Sequence, residues 1–134
     1  MIRVVLDTNI LISGLLSPHG LPAEILLMTL EGAEVQLCVS EEIFAEYGEV
    51  MSRPRFKRSS EEIASILGAI RRVGFWVKPL DLVDACSDPD DDIFLECALA
   101  AEADYVVTGN IKHFPDVWGS VRVVSSRRFI ELTT

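Results

Sequence analysis

Hydrophobic residues along this chain follow two rhythms: short unbroken runs, and stretches where they recur every three or four positions. Unbroken short runs mark strands buried on both faces, and the second spacing marks helices with one buried stripe. Val4-Val5-Leu6 is the first run, and it leads straight into Asp7, Thr8 and Asn9. Ile10 to Leu16 then predicts a short helix, stopped by the turn cluster Ser17-Pro18-His19-Gly20. Pro22 suits the first turn of a second helix, which carries Ile25, Leu26, Met28 and Leu30 and ends near Gly32. Val35 to Val39 reads as a second strand. Ser40 is placed to cap a helix from Glu41 to about Ser52, closed by Arg53-Pro54.

Another helix runs from about Ser60 to Val73, capped by Ser59 or Ser60 and ended by Gly74. Phe75-Trp76-Val77 predicts a third strand, stopped by Pro79, and residues 80–85 form a linker of mixed character. Asp88-Pro89 opens a helix reaching about Glu102. Tyr105 to Val107 predicts a fourth strand, followed by the polar loop Thr108-Gly109-Asn110 and a turn through His113-Phe114-Pro115. Val121 to Val124 is a fifth strand, and Ser125 caps a last short helix. Strands alternating with helices imply an α/β fold: a three-layer α/β/α arrangement around a mainly parallel five-stranded sheet. No repeat, low-complexity tract or boundary interrupts the pattern, so residues 1–134 read as one domain.

Composition changes this picture little: 49% hydrophobic and 25% charged residues are ordinary for a soluble globular chain. Cys38, Cys86 and Cys97 lie in or beside apolar runs with no CxxC pair, so they read as reduced core residues and point to a cytoplasmic setting. Residues 1–17 lack the pattern of a signal peptide, and no apolar run has the length to span a bilayer, so no membrane association is expected. Charge matters more. A net charge of −9 argues against a binder that wraps phosphates with lysine and arginine. A polyanion must then be met by a local basic strip or by divalent cations held on acids.

Three acids are placed to do this. Asp7 sits at a strand's carboxyl end, where open parallel sheets bind their ligands, though an aspartate there also serves as a helix cap. Glu46 lies on the flank of the stripe formed by Ile43, Phe44, Tyr47, Val50 and Met51, and a salt-bridged edge glutamate is the alternative. In Asp88-Pro89-Asp90-Asp91-Asp92, Asp88 and its neighbours suit a helix start. Extending the stripe Phe94, Leu95, Ala98, Leu99 and Glu102 backwards lands on Asp91, with Asp92 rotated about a quarter turn away. Asp91 is thus expected to face inward and, among so many acids, to be driven toward protonation unless a metal ion sits there. Right-handed crossovers would bring Asp7, Glu46 and Asp91 to one rim. Oxygen-only ligands select Mg²⁺ or Mn²⁺, and such ions activate water for in-line phosphodiester displacement.

The chain resembles the PIN (PilT N-terminus) domain family. The resemblance is carried by Val4-Val5-Leu6-Asp7-Thr8-Asn9, Ser40-Glu41-Glu42-Ile43-Phe44-Ala45-Glu46, Asp88-Pro89-Asp90-Asp91-Asp92-Ile93-Phe94-Leu95 and Ala103-Asp104-Tyr105-Val106-Val107-Thr108-Gly109-Asn110, in that order. The spacing is most similar to the branch of VapC-like toxins from toxin–antitoxin pairs. The resemblance implies a PIN-like fold and a Mg²⁺- or Mn²⁺-dependent ribonuclease with Asp7, Glu46 and Asp91 as catalytic ligands. Thr8 and Asn9 would support Asp7, and with Thr108, Asn110 and Lys112 they are the expected substrate-binding set. Asn110 stands where the family often has an aspartate. That departure removes a negative charge, and Asp92 or Asp116 is available to replace it; Asp92 is counted with the metal ligands. Arg53, Arg55, Lys57 and Arg58, interleaved with Phe56, form the one dense basic strip, suited to single-stranded RNA or to a solvated loop.

RNA is the expected substrate, and a protein antitoxin and a homodimer are the partners the resemblance implies. Leu15, Leu16, Leu27 and Leu30 are candidates for the dimer face or for the core. Two other functions compete. Asn110 motivates a weakened PIN-like module that only binds RNA or protein, and an aspartate after the first strand also occurs in receiver and phosphotransfer designs, which need further acids beside it.

Overall fold

The apolar runs form six strands: β1 (Ile2–Leu6), β2 (Val35–Val39), β3 (Phe75–Trp76), β4 (Tyr105–Val107), β5 (Val117–Trp118) and β6 (Val121–Val124). In the computed structural model, which describes residues 1–134, they make one sheet in the order β3-β2-β1-β4-β6-β5. All neighbouring strands run parallel except β5 against β6. β1 takes the middle because its last three residues, Val4, Val5 and Leu6, are buried on both faces. The sixth strand is the departure from the expected five. β5 is two residues long and turns back through Gly119, whose φ of 62° suits a residue without a Cβ. Two residues are too few to show any periodicity.

Six helices complete the chain: α1 (Thr8–Leu16), α2 (Leu21–Glu31), α3 (Glu41–Met51), α4 (Ser60–Val73), α5 (Asp92–Ala101) and α6 (Ser126–Thr133). α5 lies against β1, β2 and β4, α2 against β2, and α6 against both α2 and β4, giving the α/β/α arrangement. One cluster of 29 buried residues runs from β1 to α6, leaving no second core. α1 and α2 approach closely at Gly14, where an added Cβ would stand 3.2 Å from the Pro22 carbonyl oxygen. No single helix is long and apolar enough to cross a membrane.

Capping follows the serines. The Ile43 amide donates to Ser40 Oγ (3.3 Å), Ser59 and Glu62 form a reciprocal capping box, and the Arg128 amide donates to Ser125 Oγ (3.2 Å). Asp88 is the cap that the sequence suggested, but of a different turn. Its carboxylate accepts from the Asp90 amide (3.0 Å) and closes a short 3₁₀ turn, Pro89–Asp91, so α5 begins only at Asp92.

Sheet order places the crevice. The chain steps from β1 to β2 and β3 on one side, then returns to lay β4 on the other side of β1. That reversal opens a cleft at the carboxyl ends of β1 and β4. The register Leu6 to Val107 sets the two strand ends level, and so brings Asp7 beside Thr108.

Candidate active site

Asp7 is the first residue beyond β1. Its amide continues the sheet by donating to the Val107 carbonyl (2.9 Å), which holds the residue at the strand end. It occupies the N-cap position of α1, yet its side chain makes no capping hydrogen bond. The carboxylate turns instead to Thr108, whose hydroxyl donates to Asp7 Oδ2 at 2.7 Å. Burial lifts the Asp7 carboxyl above its ordinary pKa, and the Thr108 hydroxyl and the nearby amides of Thr8 and Asn9 counter this only in part.

Glu46 reaches the same place from α3. Tyr47, fully buried next to it, donates its hydroxyl to the Leu6 carbonyl (2.5 Å) and so ties α3 to the end of β1. The Thr8 hydroxyl donates to Glu46 Oε2. Thr8 therefore supports Glu46, where the sequence suggested support for Asp7. The sequence did not single out Tyr47 as an anchor, although it stands beside Glu46 in the buried stripe.

Asp91 closes the third side from the 3₁₀ turn before α5. Its carboxyl is pushed up to about 6, chiefly by burial, then by the charges of Asp7 and Asp88; His113 opposes the shift. His113 Nδ1 stands 3.8 Å from Asp91 Oδ2. Asp7, Glu46 and Asp91 line one open cleft of about 370 Å³ together with Thr8, Asn9, Asp88, Asp90 and Asn110. Arg53, Arg55 and Phe56 form another part of its wall.

Other expected site residues take different posts. Asp92 is buried, and its Oδ1 accepts from the amides of both Ala85 (3.1 Å) and Cys86 (2.9 Å). Burial alone would raise its pKa; the two amides more than offset that and hold the carboxyl below its ordinary value. Asp92 is thus not a ligand facing the cleft: as the first residue of α5 it is rotated away from Asp91, and the loop amides take its carboxylate. Thr108 is completely buried; its oxygen also accepts from the Asn110 amide (3.0 Å), so it holds Asp7 and the loop instead of meeting substrate. Asn9 lines the cleft and accepts from the Gly109 amide (3.3 Å). Asn110 lines it as well, whereas Lys112 is exposed and stands outside the lining. Of the apolar candidates on the early helices, Leu16 and Leu27 are exposed, whereas Leu15 and Leu30 are half-buried and pack against the core.

A model of the PIN domain matches residues 3–112, which include Asp7, Glu46, Asp91, Thr108 and Asn110. The chain belongs to the PIN domain family. This PIN domain is 32% identical over 112 residues to the uncharacterized protein MJ1680 of Methanocaldococcus jannaschii, covering 81% of this chain and 71% of that protein. Its fold is similar to a chain in the crystal structure of VapBC2 from Rickettsia felis bound to a DNA fragment from their promoter. The TM-score is 0.59 at 16% identity, with 92% of this chain and 98% of that chain covered.

The acids of this PIN domain suit a hard divalent cation by donor type, being all oxygen, and by charge. Asp91 is pressed toward its neutral form by Asp7 and Asp88, a repulsion that a cation relieves. No three acidic, histidine or cysteine side chains stand close enough together to enclose an ion. The cleft is open, with Glu46 engaged by Thr8 and Asp91 turned toward His113.

Proposed function

We propose that this PIN domain is a Mg²⁺- or Mn²⁺-dependent ribonuclease and the toxin of a toxin–antitoxin pair. The observation that carries the reading is the meeting of Asp7, Glu46 and Asp91, from three separate elements, in one cleft at the β1–β4 reversal. Asp7, Glu46 and Asp91 would hold the cation, which when bound supplies an activated water and neutralises charge on the phosphodiester. Thr108 fixes Asp7, Thr8 fixes Glu46, and the 3₁₀ turn fixes Asp91, so the three carboxylates enter the reaction with restricted freedom. Asn9 and Asn110 offer amides to the substrate's sugar–phosphate chain.

The reading includes a protein antitoxin, a homodimer, and a cytoplasmic setting in which the buried thiols of Cys38, Cys86 and Cys97 stay reduced. The likeness to VapBC2 supports the fold on which a VapC-like role rests.

Asp7→Asn and Asp91→Asn are each expected to lower Mn²⁺-dependent cleavage of single-stranded RNA by at least about a hundredfold, with the far-ultraviolet circular dichroism spectrum unchanged. Cleavage at the wild-type rate by either folded variant defeats the assignment. Asn110 and the open spacing of the acids favour one competing function, a module that binds RNA without cutting it. RNA binding by the wild-type protein with no Mn²⁺-dependent cleavage would establish that function instead.

A further inference from the structure

The basic strip that follows α3 carries four cations, and the structure gives them unequal freedom. Arg58 donates to the Leu15 carbonyl (2.7 Å) and pairs with Glu62 (3.2 Å), which commits it to holding α1 against the start of α4. Arg53 lines the cleft but is paired with Glu49 at 2.9 Å. Lys57 does not reach the lining. Arg55 lines the cleft, pairs with no carboxylate, and lies over the Phe56 ring, 4.9 Å from its centroid. Phe56 is half-buried and shares a small apolar hollow with Ile12, Leu15, Leu16 and Met51, so its ring offers the guanidinium a face beside the cleft.

We infer that Arg55, held over Phe56, seats a backbone phosphate of single-stranded RNA next to the bond to be cut; this rests on the ribonuclease reading. A guanidinium fork matches a phosphate in geometry and charge, and stacking on the ring limits the freedom it must give up. One free cation facing a wall of acids also sets the polarity of the site. A single strand can lie with one phosphate on Arg55 and its neighbour over Asp7, Glu46 and Asp91. The second strand of a duplex would bring further phosphates against the exposed carboxylates of Asp88 and Asp90, on a chain already at −9.

The test is fluorescence anisotropy of a short labelled oligouridine with magnesium present, in an Asp7→Asn background that leaves the strand uncut. Arg55→Ala is expected to weaken binding about fivefold and to flatten the dependence of log affinity on log salt by about 0.7, the loss of one phosphate contact. Arg55→Lys should restore part of the affinity. Arg72→Ala removes an equal charge from the last turn of α4, away from the cleft, and should leave both quantities unchanged. A duplex of the same length should bind more weakly than the single strand. Unaltered affinity in Arg55→Ala, an equal loss in Arg72→Ala, or equal affinity for duplex overturns the inference. Cleavage by the Asp7 wild-type protein with Mn²⁺, measured alongside, reads the ribonuclease assignment separately; there Arg55→Ala should raise KM more than it lowers kcat.

Discussion

Asp91 is a carboxyl whose proton is held more tightly in the folded chain than in the unfolded one. Burial, Asp7 and Asp88 bring its pKa to about 6, against roughly 3.9 for an unfolded aspartate. The folded state therefore binds more protons across that interval, and stability falls as pH rises from about 4 to about 6, then levels off. Asp7 shifts in the same direction, and because its charge is one cause of the Asp91 shift the two titrate as a coupled pair. Without divalent cations, Asp91→Asn is expected to stabilise the protein at pH 7 by about 1–2 kcal/mol, or roughly 3–6 °C in Tm. The advantage should shrink toward pH 4. Thermal unfolding in chelator at both pH values checks this, and a variant less stable than wild type at pH 7 would show that the charged carboxylate is welcome where it stands.

At the scale of elements, α5 does two jobs with two faces. Asp92 and Glu96, one turn apart, both face the segment that leads from β3 to the acidic 3₁₀ turn. Asp92 takes the amides of Ala85 and Cys86, and Glu96 takes that of Val83 (3.0 Å). Downstream, the Ser87 amide donates to the His113 carbonyl (3.0 Å), so the approach to Asp88 is fixed on both sides. Asp92→Ala leaves two amides without an acceptor and should cost about 1–3 kcal/mol in urea unfolding. Asp92→Asn keeps a carbonyl acceptor and should cost less. Neither change should alter Mn²⁺ affinity by calorimetry, whereas a metal-binding Asp92 would make Asp92→Asn lose most of it.

These elements also mark where the sequence could be read. Strands β1, β2, β4 and β6 and the caps at Ser40, Ser59 and Ser125 depend on neighbours within four residues, so local pattern reveals them. Asp7, Glu46 and Asp91 were legible because each interrupts or flanks an apolar pattern. Asp92 was not: it was counted as a ligand to replace the charge missing at Asn110, although the stripe already turned it away from Asp91, and no helical spacing shows that the amides of Ala85 and Cys86 fold back onto it. The pairs Thr8–Glu46 and Thr108–Asp7 were hidden for another reason: they join residues 38 and 101 positions apart, which no periodicity links.

For the molecule as a whole, the sheet order gathers negative charge that the chain keeps dispersed. Residues 7, 46, 88, 90 and 91 share one cleft on a protein of net charge −9, and folding is opposed by their mutual repulsion. A divalent cation seated there binds the folded state and not the unfolded chain, which scatters the same acids, so it should stabilise by mass action: about 2.7 kcal/mol at a hundred times its dissociation constant. Simple screening predicts a different curve. Sodium chloride weakens the repulsion gradually over roughly 0.1 M and upward without saturating, because it acts through the Debye length. Tm should therefore rise with Mg²⁺ or Mn²⁺ to a plateau at millimolar concentration, above any rise in sodium chloride of equal ionic strength. Asp7→Asn and Asp91→Asn should flatten that plateau, while Arg55→Ala, which removes no ligand, should keep it. A wild-type rise that sodium chloride reproduces at matched ionic strength, or that Asp7→Asn leaves intact, would mean the acids act as a diffuse charged surface and hold no ion.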